Sequence, residues 1–200
     1  MKKEFTNKLA RFVSTLFVPP SFTIIVFTLF SFILETESLK TLVTILVAFL
    51  FGFTAHIILF VVLRRRGKIV DPDASVKEER TTPFLISVGF YLIGLSILIV
   101  FQVNIISIAF WFCYISNTLI TILINKHWKI SAHAMGAAGP LAAVTYAFGP
   151  IGLLFIVIVF LVGWSRIKLK VHNLTQVIAG VLLAFISTYL QIYFIVRFFE

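Results

Sequence analysis

Three short segments of this sequence hold the residue types that bind an anion and move a proton. His172 is followed by Gln176, so on a helix the two share a face and the amide can reach an imidazole nitrogen. Ser165-Arg166 lies just upstream, with five residues between the arginine and His172. His133 ends the triplet Ser131-Ala132-His133, which opens the small-residue run Ala134-Met135-Gly136-Ala137-Ala138-Gly139. A serine at a helix start caps it, and the free N–H groups with the helix dipole make a seat for phosphate. The third segment, Arg80-Thr81-Thr82-Pro83, is preceded by Asp71-Pro72-Asp73 and Lys77. Arginine suits such a site because its planar fork pairs bidentately with phosphate.

The elements that must position these residues are membrane helices. The chain has 200 residues, of which 60% are apolar and 12% charged, and its mean hydropathy is +1.07. A soluble domain carries about a quarter charged residues and under half apolar ones, which excludes a soluble enzyme, a disordered chain and a coiled coil. A single cysteine, Cys113, excludes a disulfide scaffold within the chain. A helix crosses the hydrocarbon core with ~20 apolar residues. The uncharged runs are 12–34, 41–63, 81–125, 130–165 and 171–196. Gln102-Val103-Asn104 divides the third run, and Gly149-Pro150 turns the fourth into two short helices of about 133–148 and 150–165. The expectation is an all-α polytopic bundle with about seven (six to seven) transmembrane helices. Residues 1–18, in which Lys2, Lys3, Lys8 and Arg11 alternate with Phe5, Leu9, Phe12 and Leu16, fit an interfacial segment. Residues 19–200 form one membrane domain.

Net charge is +9, and alternate loops sort it. One face holds residues 1–18, Arg64–Thr82, Asn125–Ala132 and Ser165–Asn173, with fifteen of the seventeen basic residues; Lys40 and Arg197 are on the other. The positive-inside rule places the basic face, and with it the N-terminus and the three segments, in the cytoplasm. The expected setting is a bacterial or archaeal cell membrane.

Together the segments resemble the type-2 phosphatidic acid phosphatase superfamily, which includes the vanadium haloperoxidases. That family carries Lys, six residues and Arg-Pro; then Pro-Ser-Gly-His; then Ser-Arg, five residues, His, three residues and Asp. Here the second motif reads Ile130-Ser131-Ala132-His133, and the third reads Ser165-Arg166, His172 and Gln176 at full spacing. The first is degraded: Pro83 lies three residues past Arg80, and Asp73 stands where the lysine is expected. Gln176 replaces the family's aspartate. The resemblance covers about 71–190 and implies a metal-independent, cofactor-free lipid phosphatase. His172 would be the nucleophile, forming a phosphohistidine, and His133 the general acid. Gln176 would orient His172. Arg166, Arg80, Ser131 and Lys77 would bind the phosphate oxygens. Its partners would be a lipid phosphate substrate (phosphatidate-like or polyprenyl, as phosphate or pyrophosphate) and membrane lipids, with no nucleic acid. A non-catalytic lipid-phosphate binder or transporter with a degenerate site is the alternative.

Other polar residues have plainer readings. His127 with Trp128 reads as an interfacial anchor, and His56 as a helix–helix hydrogen-bonding residue. Asp71-Pro72-Asp73 reads as a loop turn or a partner for a neighbouring arginine. Gly136, Gly139, Ala143, Gly180 and Ala184 read as close helix contacts, and the 23 phenylalanines as lipid-facing filler.

Overall fold

Pro19-Pro20 sets the first corner of the chain. The computed structural model describes residues 2–71, 73 and 76–199, with the backbone alone for Lys2 and Lys3. Pro72 and the side chains of Lys2 and Lys3 in the expected interfacial segment therefore lie outside the described residues. Helix α1 (Lys2–Leu16) stops before the prolines, and α2 (Pro19–Leu34) starts on them, where a missing N–H costs nothing; the two are bent by 53°. Phe5, Leu9, Phe12 and Leu16 of α1 are exposed along one side, while Ala10, Val13 and Ser14 are buried on the other. That division is what a helix lying in the membrane interface requires.

The second long stretch, Ser38–Arg65, consists of α3 (Ser38–Val47), a π-helical segment (Ala48–Thr54) and α4 (Ala55–Arg65). Gly52 sits in the π segment, where a Cβ would collide with Thr23 of α2. Then come α5 (Thr81–Val100) and α6 (Ile105–His127), which is capped by the Asn104 side chain accepting from Ile106 N at 2.9 Å. Trp111 of α6 fills the space left by Gly52 and Gly94 and donates its indole N–H to Tyr91 O at 2.7 Å.

The remaining chain forms α7 (Ala132–Phe148), α8 (Ile156–Lys168) and α9 (Leu174–Phe199). Gly149 has φ +72 and ψ −154, a backbone conformation that L residues rarely adopt, and it ends α7. After a 3-10 segment α8 folds back, so Ala137 and Leu141 of α7 pack with Val159 and Val162 of α8. The expected pair of short helices is thus a hairpin. Gly180 lets α9 approach the head of α7 closely: a Cβ there would lie 2.9 Å from Ser131 O.

The chain is all-helical. Among the described residues five stretches are long and apolar enough to cross a membrane, and six if α1 and α2 count as one bent span. One of the five is Ala132–Lys168, which is the hairpin. Several long apolar helices mark an integral membrane protein. Their ends gather in two groups. At one, Glu35 after α2 accepts from Asn104 N at 2.7 Å, and Phe148 packs its ring on Phe30. At the other lie Arg80, the α6–α7 link, the end of α8 and the start of α9.

Candidate functional site

The spacing of the Ser-Arg…His segment has a backbone cause. After α8 the chain turns through Lys170, at φ +57, and Arg166 O accepts from both Val171 N (3.2 Å) and His172 N (3.3 Å). Five intervening residues are what this reversal needs to set arginine and histidine side by side. Asn173 then caps α9: its Oδ1 accepts from Gln176 N at 2.9 Å, and the Gln176 side chain accepts from Asn173 N at 3.3 Å. This reciprocal pair is a capping box built from Asn and Gln.

The box fixes the histidine. A backbone N–H only donates, so the Gln176 atom facing Asn173 N is its carbonyl oxygen. The same oxygen lies 2.9 Å from His172 Nδ1, which must therefore carry the hydrogen. Nε2 is left with a free lone pair. His172 is 6% exposed, and its pKa is pushed down to about 3. Burial is the main cause; Gln176 opposes it, and the charges of Arg80, Lys129 and Arg166 add to it. The ring is neutral at physiological pH.

Three cations, Arg80, Lys129 and Arg166, act on it. Arg80, buried just before α5, donates to Ile130 O at 3.0 Å. Lys129 donates its ammonium to Val171 O at 2.7 Å, tying the α6–α7 link to the turn. Burial and the nearby Arg80 and Arg166 charges lower its pKa. Arg166 is fully buried, with Nη1 bonded to Ser14 Oγ of α1 and, at 2.7 Å, to Asp73 Oδ1; among the described residues its Nε has no hydrogen-bond partner. Arg11 of α1 holds the other carboxylate oxygen of Asp73 at 2.7 Å. Burial works to raise the pKa of Asp73, but the two arginines outweigh it and hold the carboxyl below its ordinary value.

His133, on the first turn of α7, lies within electrostatic range of Arg166, Asp73, His172 and Arg80. It lines a cavity of about 670 Å³ together with Arg11, Ser14, Asp73, Arg80 and His172. Below this charged mouth the walls carry Tyr91, Phe110, Tyr114 and Ala184, with Asn117 and Thr188 deep inside. Lys129 and Gln176 stand behind the wall and act through the groups they touch, and Arg166 lies directly behind Asp73 and Ser14, which line the cavity.

Ser131 and Lys77 are placed differently. Ser131 is fully buried and caps α7, its Oγ accepting from Ala134 N at 3.3 Å. Its N–H donates to Gln176 O at 3.3 Å, so it joins α7 to α9 from behind the cavity wall. Lys77 donates to the carbonyls of Lys126 (3.2 Å) and His127 (3.3 Å), closing the end of α6 away from the cavity. His56 stacks on Tyr91 with centroids 4.8 Å apart.

Sequence reasoning misses Arg11, Ser14 and Lys129: the two cations sort with the charge of their face, and Ser14 carries no motif signal. Asp73 was legible as a possible arginine partner. No motif could have pointed to α1, because its residues reach the site only through tertiary packing. Among the described residues no group of three or more His, Cys, Asp or Glu is placed to hold a metal ion. Comparison with protein-family models, curated proteins and solved structures gives no match.

Proposed function

We propose that this membrane protein is a lipid phosphate phosphatase of the kind its motifs resemble. It would hydrolyse a phosphomonoester or pyrophosphate of a lipid at the cytoplasmic face. One observation carries the reading: a neutral His172, held by Gln176 in the tautomer that frees Nε2, stands among Arg80, Lys129 and Arg166 at the mouth of an apolar cavity. A phosphorylated headgroup meets the cations there while its chain enters between the helices.

In the first half-reaction His172 Nε2 attacks phosphorus, and the bond from phosphorus to the lipid oxygen breaks. His133, which takes up a proton as the dianion binds, gives it to that oxygen, and the lipid alcohol leaves. In the second, water attacks the phosphohistidine, His133 takes the water proton, and phosphate departs. Arg80 meets the growing charge on the nonbridging oxygens directly, with Lys129 and Arg166 adding positive potential. An arriving dianion offsets the cations around His172 and raises its basicity, so the nucleophile strengthens as substrate binds. Gln176 supplies orientation without charge.

The test is phosphate release by purified protein from phosphatidate and from polyprenyl diphosphate. His172→Ala is expected to abolish it; an unchanged rate would overturn the reading. The engagement of Arg166 by Asp73 favours a second one, a lipid-phosphate binder or transporter. That protein would bind the same lipids and release no phosphate.

A further inference from the structure

We infer that Asp73 is a specificity-determining residue of this site: its carboxylate fills the anion position between Arg166 and Arg11, and an incoming ligand must carry more charge than a carboxylate to displace it. The inference rests on the lipid-phosphate reading above.

Asp73 is well placed for this role. Its side chain is 8% exposed and that of Arg166 1% exposed, and each carboxylate oxygen takes one guanidinium at 2.7 Å. It lies seven residues before Arg80, where the resembled motif carries lysine, so a positive group has been exchanged for a negative one inside the phosphate seat. Pulling the carboxylate from a buried arginine is strongly unfavourable unless another anion replaces it.

The charge of the ligand then decides. A phosphodiester is a monoanion: it returns to Arg166 the single charge that it removes, and Asp73 must still be moved. A phosphomonoester above its second pKa of about 6 is a dianion, with charge left over for the other cations. The charged and titratable groups facing this point are Arg11 of α1, Asp71 of the loop, Arg80 before α5 and Lys129 before α7. His133 of α7, Arg166 of α8 and His172 before α9 complete the set. His172 and Asp73 both have depressed pKa values, so neither changes charge near pH 6.

The experiment compares equilibrium binding of phosphatidate and phosphatidylmethanol, its methyl diester, to the full chain in detergent. Wild type at about pH 7.5 is expected to prefer phosphatidate by about tenfold or more. Asp73→Asn is expected to reduce that ratio to within about twofold, chiefly by tightening the diester. A ratio unchanged by the substitution overturns the inference, as does wild type binding both lipids equally. Wild type alone gives a second measurement should the variant not fold. On lowering the pH to about 5 phosphatidate becomes a monoanion, and its preference is expected to vanish. The diester, whose charge is constant, reports any change in the protein itself. A preference that persists in acid refutes the role of charge. Failure of every form to bind either lipid removes both this inference and the lipid-phosphate reading, whereas equal binding removes the inference alone.

Discussion

Gln176 Oε1 lies 2.9 Å from His172 Nδ1 while accepting from the backbone N–H of Asn173, so one oxygen caps a helix and sets a tautomer. A carboxylate would do the same and also add charge. Gln176→Leu is expected to lose the cap, worth about 1 kcal/mol, and to let the ring rotate. Phosphate release should fall about a hundredfold or more. Gln176→Glu keeps both acceptors and is expected to raise the His172 pKa towards its ordinary value. Imidazole nitrogen NMR reads the tautomer and the pKa independently of turnover.

His172 also makes stability depend on pH. Its folded pKa of about 3 lies below the ordinary value of 6.5, so between these values the unfolded chain binds the extra proton. Stability is therefore fully present above about pH 6.5 and lost as the pH falls towards 3, by up to a few kcal/mol. Asp73 acts in the same direction at lower pH, since its folded pKa is also depressed. Thermal melting in detergent from neutral to acid pH should show a falling midpoint. His172→Gln is expected to flatten the upper part of that slope; an unchanged slope would assign it elsewhere.

Gly180 and Gly89 offer a matched pair. A Cβ at Gly180 would approach Ser131 O to 2.9 Å, whereas nothing lies within 4 Å of one at Gly89. Gly180→Ala should destabilise by about 1–3 kcal/mol and impair the site, because it pushes α9 and Gln176 from the head of α7. Gly89→Ala should leave both melting and phosphate release unchanged.

Sidedness is checked with single cysteines at the exposed positions Lys126 and Lys170, in a Cys113→Ser background. An impermeant thiol reagent should label them only after the cells are opened. Labelling of intact cells would move the site to the outer face.

The bundle was legible because apolar runs and charged loops are one-dimensional signals. Gly149-Pro150 marked the hairpin for the same reason, since a backbone limit is local. The His172–Gln176 pair was legible because helical periodicity fixes which side chains meet. Ser131 shows the same and its limit: its type and position at the head of α7 predict a cap, and its hydroxyl accepts from Ala134 N, but its place behind the cavity wall comes from the packing of α9 on α7. Lys77, expected at the phosphate, sits within reach of the α6 carbonyls instead. Arg11 and Ser14 lie more than 150 residues before Arg166 in the chain, and only packing brings them together.

The turn at Lys170 has a mechanical corollary. Arg166 O accepts from both Val171 N and His172 N, and Lys129 pins Val171 O, so that half of the site is tied together. Arg11 and Ser14 instead belong to an amphipathic helix that meets its neighbour at a corner and turns Phe5, Phe12 and Leu16 towards lipid. A tilt of that helix would strain the hydrogen bond at Arg166 and displace the ion pair at Asp73. One short helix thus works as a lever, with its apolar side turned outward and its polar side against a buried arginine.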